Sequence, residues 1–72
     1  MPTMKQLRQQ SGLSAEQLAV YADVSLSTVL RMEKGTPVNR LNAYRVLNVI
    51  SERIGTRIEE GDVDGLKISE GK

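Results

Sequence analysis

The sequence predicts an all-α fold, a compact bundle of four to five helices in one small domain. Apolar residues recur at intervals of three and four over most of residues 4–54, as they do on helices that face a core. Serine or threonine precedes these segments and glycine follows them, which is typical of helix starts and ends. The 72 residues include no cysteine and no histidine, so helical packing, with or without self-association, must stabilise the domain.

The first helix is predicted to begin after a possible cap at Thr3 and to end at Gly12 in a left-handed cap. Its inner face carries residues at helical spacing: Met4, Leu7, Arg8 and Ser11. Leu13 follows and is expected to pack beneath the second helix as a hydrophobic staple.

The second and third helices are predicted to form a pair joined by a tight turn. Ser14 with Gln17 three positions later is a capping-box pattern that starts the second helix. Its inner face is made of small and apolar residues: Ala15, Leu18, Ala19 and Ala22. The reversal requires a residue that tolerates positive φ, and Asp23 is the candidate. Ser25 is expected to cap the third helix and Gly35 to end it, before Thr36-Pro37.

The fourth helix is the longest and is predicted to run from Asn39 or Arg40 to Ile54, where Gly55 stops it. One apolar stripe contains Leu41, Tyr44, Leu47, Ile50 and Ile54, and a second contains Ala43, Val46 and Val49. This arc is wider than a single small core requires. It indicates either a central helix contacted from several sides or a homodimer surface, and both interpretations remain open here.

The C-terminal part differs from the rest in charge and in pattern. Residues 1–57 carry eight basic and four acidic groups, whereas residues 58–72 carry two basic and five acidic groups. A basic body favours a polyanionic partner. We therefore divide the chain into a helical domain, residues 1–58, and an acidic C-terminal tail, residues 59–72, that is partly disordered or an arm.

After Gly55, residues 56–58 are predicted to be extended, and residues 59–65 of the tail to hold at most one short helical turn. Leu66-Lys67-Ile68 has strand-like alternation, and it either packs back or pairs with a second copy. The last residues, from Ser69 to Lys72, are expected to be disordered.

The sequence offers little support for a membrane protein, an enzyme or a metalloprotein. No apolar run approaches the roughly 20 residues needed to span a bilayer, and no signal-peptide core is present, so a cytoplasmic protein is expected. No residue set supports catalysis, and no cofactor is implied. The acidic residues Glu59, Glu60, Asp62 and Asp64 lack the spacing of an EF-hand, so we interpret them as solvated rather than as a metal site.

One face of the third helix, residues 25–34, could carry a binding function. With Val29 and Met32 turned inward, helical geometry turns four side chains outward: Ser27, Leu30, Arg31 and Lys34. Leu26 and Thr28 lie near the N-terminal end. The Arg31 guanidinium can form a bidentate contact with guanine, and the leucines can contact thymine methyl groups. The hydroxyls of Ser27 and Thr28 can donate to a base or a phosphate. Taken alone, Arg31 is more typical of a solvated surface, because surface arginines are common.

Together with the two capped helices and the tight turn, this face favours a helix that reads the major groove of DNA.

Arg8 and Glu33 are a second feature of interest, because they fall on the inward sides of the first and third helices. They are expected to form a partly buried ion pair, the alternative being that both are solvated.

The sequence resembles the phage-repressor and Cro-like helix-turn-helix family over roughly residues 4–54. The resemblance is carried by Leu7-Arg8, Leu13-Ser14, Glu16-Gln17-Leu18-Ala19, Val24-Ser25 and residues 27–35. It implies a lambda-repressor-like bundle that binds operator DNA, generally as a homodimer on a two-fold symmetric site. It places base reading on Leu26, Ser27, Leu30 and Arg31, and DNA-backbone contacts near Ala15, Gln17, Thr28, Lys34, Thr36 and Arg40. The internal Arg–Glu pair of the family falls on Arg8 and Glu33.

The chain departs from the family where Ala15 replaces a frequent glutamine, where Asp23 replaces the usual turn glycine, and where Leu26 and Leu30 make the reading face more apolar. We expect a sequence-specific transcriptional regulator, a repressor without enzymatic activity, that binds double-stranded DNA as a homodimer. The fourth helix, residues 39–54, and the C-terminal segment are the candidate dimer interface. The alternative is an antitoxin-like or adaptor module that binds a toxin or another protein through a surface including Leu26 and Leu30.

Overall fold

Four α-helices and a pair of two-residue strands are found in the structure, a computed structural model that describes residues 2–69. The helices are α1 (Met4–Ser11), α2 (Ala15–Ala22), α3 (Leu26–Lys34) and α4 (Arg40–Ile54). The strands are β1 (Val38–Asn39) and β2 (Ile68–Ser69), and a short 3₁₀ turn spans Glu60–Asp62. The all-α prediction is confirmed, with the small strand pair as an addition. No helix of the described part is long and apolar enough to cross a membrane.

The helix starts follow from the hydroxyl residues that precede them. The Thr3 hydroxyl accepts the Gln6 N–H at 3.2 Å, and the Gln6 carboxamide oxygen accepts the Thr3 N–H at 2.9 Å. Ser14 and Gln17 form the same reciprocal pair at 3.1 and 3.0 Å. Ser25 accepts the N–H of the third residue after it at the start of α3. These predicted caps are confirmed, and each satisfies N–H groups that a helix start leaves without an intrahelical partner.

The reversal between α2 and α3 is made at Asp23, whose φ of 60° lies in the left-handed region. This is the one non-glycine residue with positive φ among the described residues. The Asp23 N–H donates to the Val20 carbonyl at 3.2 Å and the Val24 N–H to the Ala19 carbonyl at 3.0 Å, which closes the last turn of α2. The predicted turn at Asp23 is therefore confirmed, and it brings α3 directly back against α2.

The core lies between α4 and the three shorter helices. Its buried members are Met4, Leu7, Leu13, Leu18, Ala19, Ala22, Val29, Met32, Val38, Ala43, Val46, Leu47, Ile50, Ile58 and Val63. Of the stripe predicted along α4, Leu47 and Ile50 are buried, whereas Leu41 and Tyr44 are 54% and 50% exposed. The buried face of α4 is centred on the row from Ala43 through Leu47 to Ile50, and Leu41 and Tyr44 lie beyond its edge. As expected for a central helix, α4 contacts the other three.

The segment after α4 packs back onto the same chain. The Ile58 N–H donates to the hydroxyl of the buried Ser51 at 2.9 Å, and Val63 is only 5% exposed. Strand β2 then pairs in parallel with β1, with Val38 opposite Ile68. Of the two predicted placements for the strand-like segment, the intramolecular one is observed. Strand β1 was not predicted.

The C-terminal end of the described chain corrects one expectation. Ser69 belongs to β2, so the prediction that disorder begins there is wrong for this residue. The pairing explains the order, because β2 is hydrogen-bonded to β1 rather than left in solvent. The rest of that prediction concerns residues 70–72, which lie outside the described residues.

Candidate nucleic-acid interface

The outer face of α3 is exposed along its whole length. Val29 and Met32 are almost completely buried beneath it, which fixes the rotation of the helix. Four side chains surround a shallow depression of about 360 Å³ on the opposite side: Ser27, Leu30, Arg31 and Lys34. Within the described part of the chain, neither Arg31 nor Lys34 forms an ion pair. A hydroxyl, an alkyl group and two cations are thus presented together to solvent.

The two remaining candidates at the start of α3 differ from each other. Leu26 is 37% exposed and extends the outer face towards the helix N-terminus. Thr28 is only 9% exposed, and its hydroxyl lies 3.0 Å from that of Ser25. The hydroxyl of Thr28 is therefore part of the helix cap, and the residue reaches solvent only at the edge of a second depression that it shares with Arg31.

The orientation of α3 is held by the ion pair expected between Arg8 and Glu33, which is present. The Arg8 Nε lies 2.5 Å from a carboxylate oxygen of Glu33, and the two side chains are 17% and 12% exposed. The Arg8 Nη1 also donates to the Leu13 carbonyl at 3.2 Å. The alternative that both residues are solvated does not apply. One guanidinium thus joins α1 to the entry of α2 and to the last turn of α3.

The predicted DNA-backbone residues lie on two sides of α3. Gln17 is at the start of α2, where its carboxamide oxygen is used in the cap and its exposed side chain retains the amide N–H groups. Lys34, Thr36 and Arg40 lie along the connection from α3 to α4. Arg40 is already paired, because its Nε lies 3.3 Å from a carboxylate oxygen of Glu60. A phosphate at this position would compete with that carboxylate.

The structure brings three polar residues beside α3 that sequence reasoning did not assign to the site. Asn39, Asn42 and Ser69 line the depression of about 340 Å³ that also contains Thr28 and Arg31. Asn39 is occupied as the cap of α4, since its side-chain oxygen accepts the N–H groups of two following residues. The position of Asn42 beside α3 follows from that cap. No local sequence pattern could have predicted the position of Ser69, because the pairing of β2 with β1 determines it.

The candidate dimer surface on α4 combines apolar and polar groups. Tyr44 is half exposed, and the Arg57 guanidinium carbon lies 5.7 Å from the centre of its ring. Arg57 also donates to Glu59 and to Asn48, each at 2.8 Å. The hydrogen bond and the charge of Glu59 raise the pKa of Arg57 above its ordinary value, so this side chain remains cationic. Leu41 continues the exposed surface one turn earlier.

The acidic side chains of the described residues are not arranged as a metal site: no three of them are close enough to hold a metal ion. Glu60 faces Arg40 and Glu59 faces Arg57, so two of the carboxylates that the sequence indicated as solvated are partnered by arginines.

Comparison with known proteins supports the same reading of the fold. A family model described as helix-turn-helix matches residues 4–60, which include all four helices and their caps. No curated protein and no solved structure matches significantly. Proteins of this family are DNA-binding regulatory domains of the Cro/C1 type and are not typically enzymes. Because the match covers more than half of the chain and the structure contains the paired helices, the protein belongs to the Cro/C1-type helix-turn-helix family of DNA-binding regulators.

Proposed function

We propose that the protein is a repressor that binds operator DNA as a homodimer and inserts α3 into the major groove. The observation that carries the proposal is the outer face of α3, where Ser27, Leu30, Arg31 and Lys34 are exposed around one depression. A helix whose opposite face is buried and whose last turn is tied to α1 can enter a groove without reorganising. Occupation of promoter DNA by such a dimer would exclude other proteins from it.

Base reading is assigned to the first two turns of α3. Arg31 supplies a planar fork that matches the two acceptors of guanine, a contact worth roughly 1–3 kcal/mol of discrimination. Leu26 and Leu30 supply apolar contact to thymine methyl groups, and the Ser27 hydroxyl can donate to a base edge. The reading face therefore suits a half-site that combines a guanine with neighbouring thymines.

Contacts to the DNA backbone are assigned to residues on either side of that helix. Gln17 would donate from its free amide N–H groups, and Lys34, Thr36 and Arg40 would bind the strand beside the α3–α4 connection. Thr28 contributes through the helix N-terminus that it helps to cap, since its hydroxyl is already used. Because these contacts displace counterions from DNA, affinity should fall steeply as the salt concentration rises.

The test is selection of bound DNA from random genomic fragments at a low and a higher salt concentration, with wild type, Arg31→Ala and Lys5→Ala. Lys5 is an exposed lysine of α1 outside both depressions beside α3 and serves as the control. We expect wild type and Lys5→Ala to recover a shared sequence motif, and Arg31→Ala to lose the preference for a guanine in it. Absence of DNA retention at low salt would contradict the proposal.

A second candidate function is favoured by the exposed leucines of the reading face, Leu26 and Leu30, which are 37% and 40% exposed. An antitoxin-like or adaptor protein could cover them with a protein partner. Substitution of both by serine separates the two functions, because a DNA reader then loses only its preference for thymine positions. An adaptor would instead lose its partner while its retention on DNA remained unchanged.

The proposed homodimer rests on the exposed surface of α4 formed by Leu41 and Tyr44, next to the Arg57 network. Two copies joined through this surface would present two α3 helices to half-sites about one DNA turn (~34 Å) apart. We expect Tyr44→Glu to shift the protein from dimer to monomer in sedimentation equilibrium, because a carboxylate would be desolvated at the interface. Tyr21→Glu is the matched control, since Tyr21 is 62% exposed on α2. A dimer that resists Tyr44→Glu but dissociates with Tyr21→Glu would move the interface to α2.

A further inference from the structure

The last described residues border two depressions that also contain residues of the reading helix. Ser69 lines the depression that contains Arg31, and Lys67 lines another, of about 380 Å³, that contains Lys34. Between them Ile68 is half buried and packs against the core. Alternation along an extended segment places Lys67 and Ser69 on the same, outward side. Two successive outward side chains of the C-terminal segment therefore border the exposed face of α3.

The position of this segment is fixed by backbone contacts. The Val38 N–H donates to the Lys67 carbonyl at 3.1 Å, which starts the parallel pairing with β1. Three residues before the paired Val38 and Ile68 are Gly35 and Gly65. The Gly65 carbonyl oxygen lies 3.3 Å from the place that a Cβ of Gly35 would occupy. The segment 65–69 thus runs along the connection 35–39, which contains Thr36 and lies between Lys34 and Arg40, three of the proposed DNA-backbone contacts.

From this arrangement we infer that segment 65–69 belongs to the DNA interface and that Lys67 binds a backbone phosphate next to the one bound by Lys34. The inference rests on the proposed function of α3. A lysine ammonium on a flexible stem is well suited to phosphate, because it acts as a compact charge without strict directional needs. Lys67 would thus supply a DNA contact from the C-terminal part of the chain, although the net charge of that part is negative.

The neighbouring carboxylates do not remove this capacity. Asp64 lines the same depression, but it lies at the α1 end, where it is bridged to Thr3 and its N–H donates to the Pro2 carbonyl at 2.7 Å. Lys67 lies at the other end, beside Val38. Glu33 also borders the depression, but its charge is neutralised by Arg8. Lys34 and Lys67, for which no ion pair is found among the described residues, are therefore the two cations that line this depression.

The experiment measures the affinity for the selected operator over a series of salt concentrations, with wild type, Lys67→Gln, Lys34→Gln and Lys5→Gln. Removing one phosphate contact should reduce the slope of log affinity against log salt by about 0.9 per protomer. We expect this reduction, with a fall in affinity on the order of fivefold at moderate salt, for Lys67→Gln and Lys34→Gln. The base preference should be unchanged in both, and Lys5→Gln should behave as wild type.

A second variant tests the same segment by adding charge. Ser69→Glu should weaken operator binding by more than about tenfold, because its carboxylate would face phosphate beside Arg31, whereas Ser69→Ala, which adds no charge, should weaken it much less. Thermal melting of each variant establishes that it is folded. A wild-type salt slope for Lys67→Gln, combined with a reduced slope for Lys34→Gln, would overturn the inference and leave the proposed function standing. Failure of the wild type to bind DNA would overturn both.

Discussion

At the scale of single residues, Arg8 determines more of the geometry than any surface cation. Its guanidinium contacts Glu33 at the end of α3 and the Leu13 carbonyl at the entry of α2. Removing two charges from water offsets much of what they gain by pairing, so such a pair adds little net stability. What it adds is a fixed relation between three helices, including the one proposed to read DNA.

Removing one partner of the Arg8–Glu33 ion pair should lower the stability of the protein. We expect Glu33→Ala to lower the free energy of unfolding by about 3 kcal/mol, because it leaves the Arg8 cation in a mostly buried site without its carboxylate. Urea unfolding measures the loss. Glu52→Ala, which removes an exposed carboxylate from α4, is the control and should change stability by less than about 0.5 kcal/mol. The double variant Arg8→Met/Glu33→Leu should recover most of the loss, and a Glu33→Ala protein that unfolds like the parent would contradict the account.

At the scale of elements, the parts predicted from sequence are those with local causes. The caps at Thr3, Ser14 and Ser25 and the turn at Asp23 depend on residues within three positions of each other, so the sequence shows them directly. The ion pair was also predictable, because helical spacing turns both partners inward. Strand β1 was not, because its two residues pair with residues about 30 positions later and carry no local pattern.

The same distinction explains why the sequence left open how far two side chains of the α4 stripe are exposed. Helical spacing gives the direction of Leu41 and Tyr44, but the width of the buried arc depends on how many neighbours cover α4. The burial of Thr28 likewise depends on the cap that its hydroxyl joins. The placement of Lys67 and Ser69 beside α3 depends on the strand pairing and could not be predicted from their own positions.

The contact between the α3 end and the C-terminal segment can be tested with two glycines of similar conformation. Gly12 and Gly35 have φ of 79° and 81°, but an added Cβ meets nothing at Gly12 and meets the Gly65 carbonyl oxygen at 3.3 Å at Gly35. We expect Gly12→Ala to cost about 1 kcal/mol from the left-handed backbone alone. Gly35→Ala should cost measurably more in urea unfolding, because the segment must also shift. Equal losses would show that the segment does not press on this turn.

At the scale of the whole molecule, residues 59–69 of the acidic C-terminal tail pack onto the helical domain. Glu59 and Glu60 pair with arginines of the basic body. Beneath them Ile58 and Val63 are buried in the same core as the helices. A domain this small hides only about 60% of the surface of its unfolded chain, so these late apolar residues contribute a substantial part of its stability.

The contribution of the segment can be measured with one substitution made at two sites. Val63→Ala removes two methyl groups from the core, where Val63 is 5% exposed, and Val20→Ala removes the same groups from a side chain that is 77% exposed on α2. We expect a loss of about 2 kcal/mol for Val63→Ala, since about 0.8 kcal/mol is lost per group and a cavity remains. Val20→Ala should change stability by less than about 0.5 kcal/mol. Similar small effects at both sites would mean that residues 60–69 fold back too weakly to hold Lys67 beside the reading helix, and the DNA interface would then end at the α3–α4 connection.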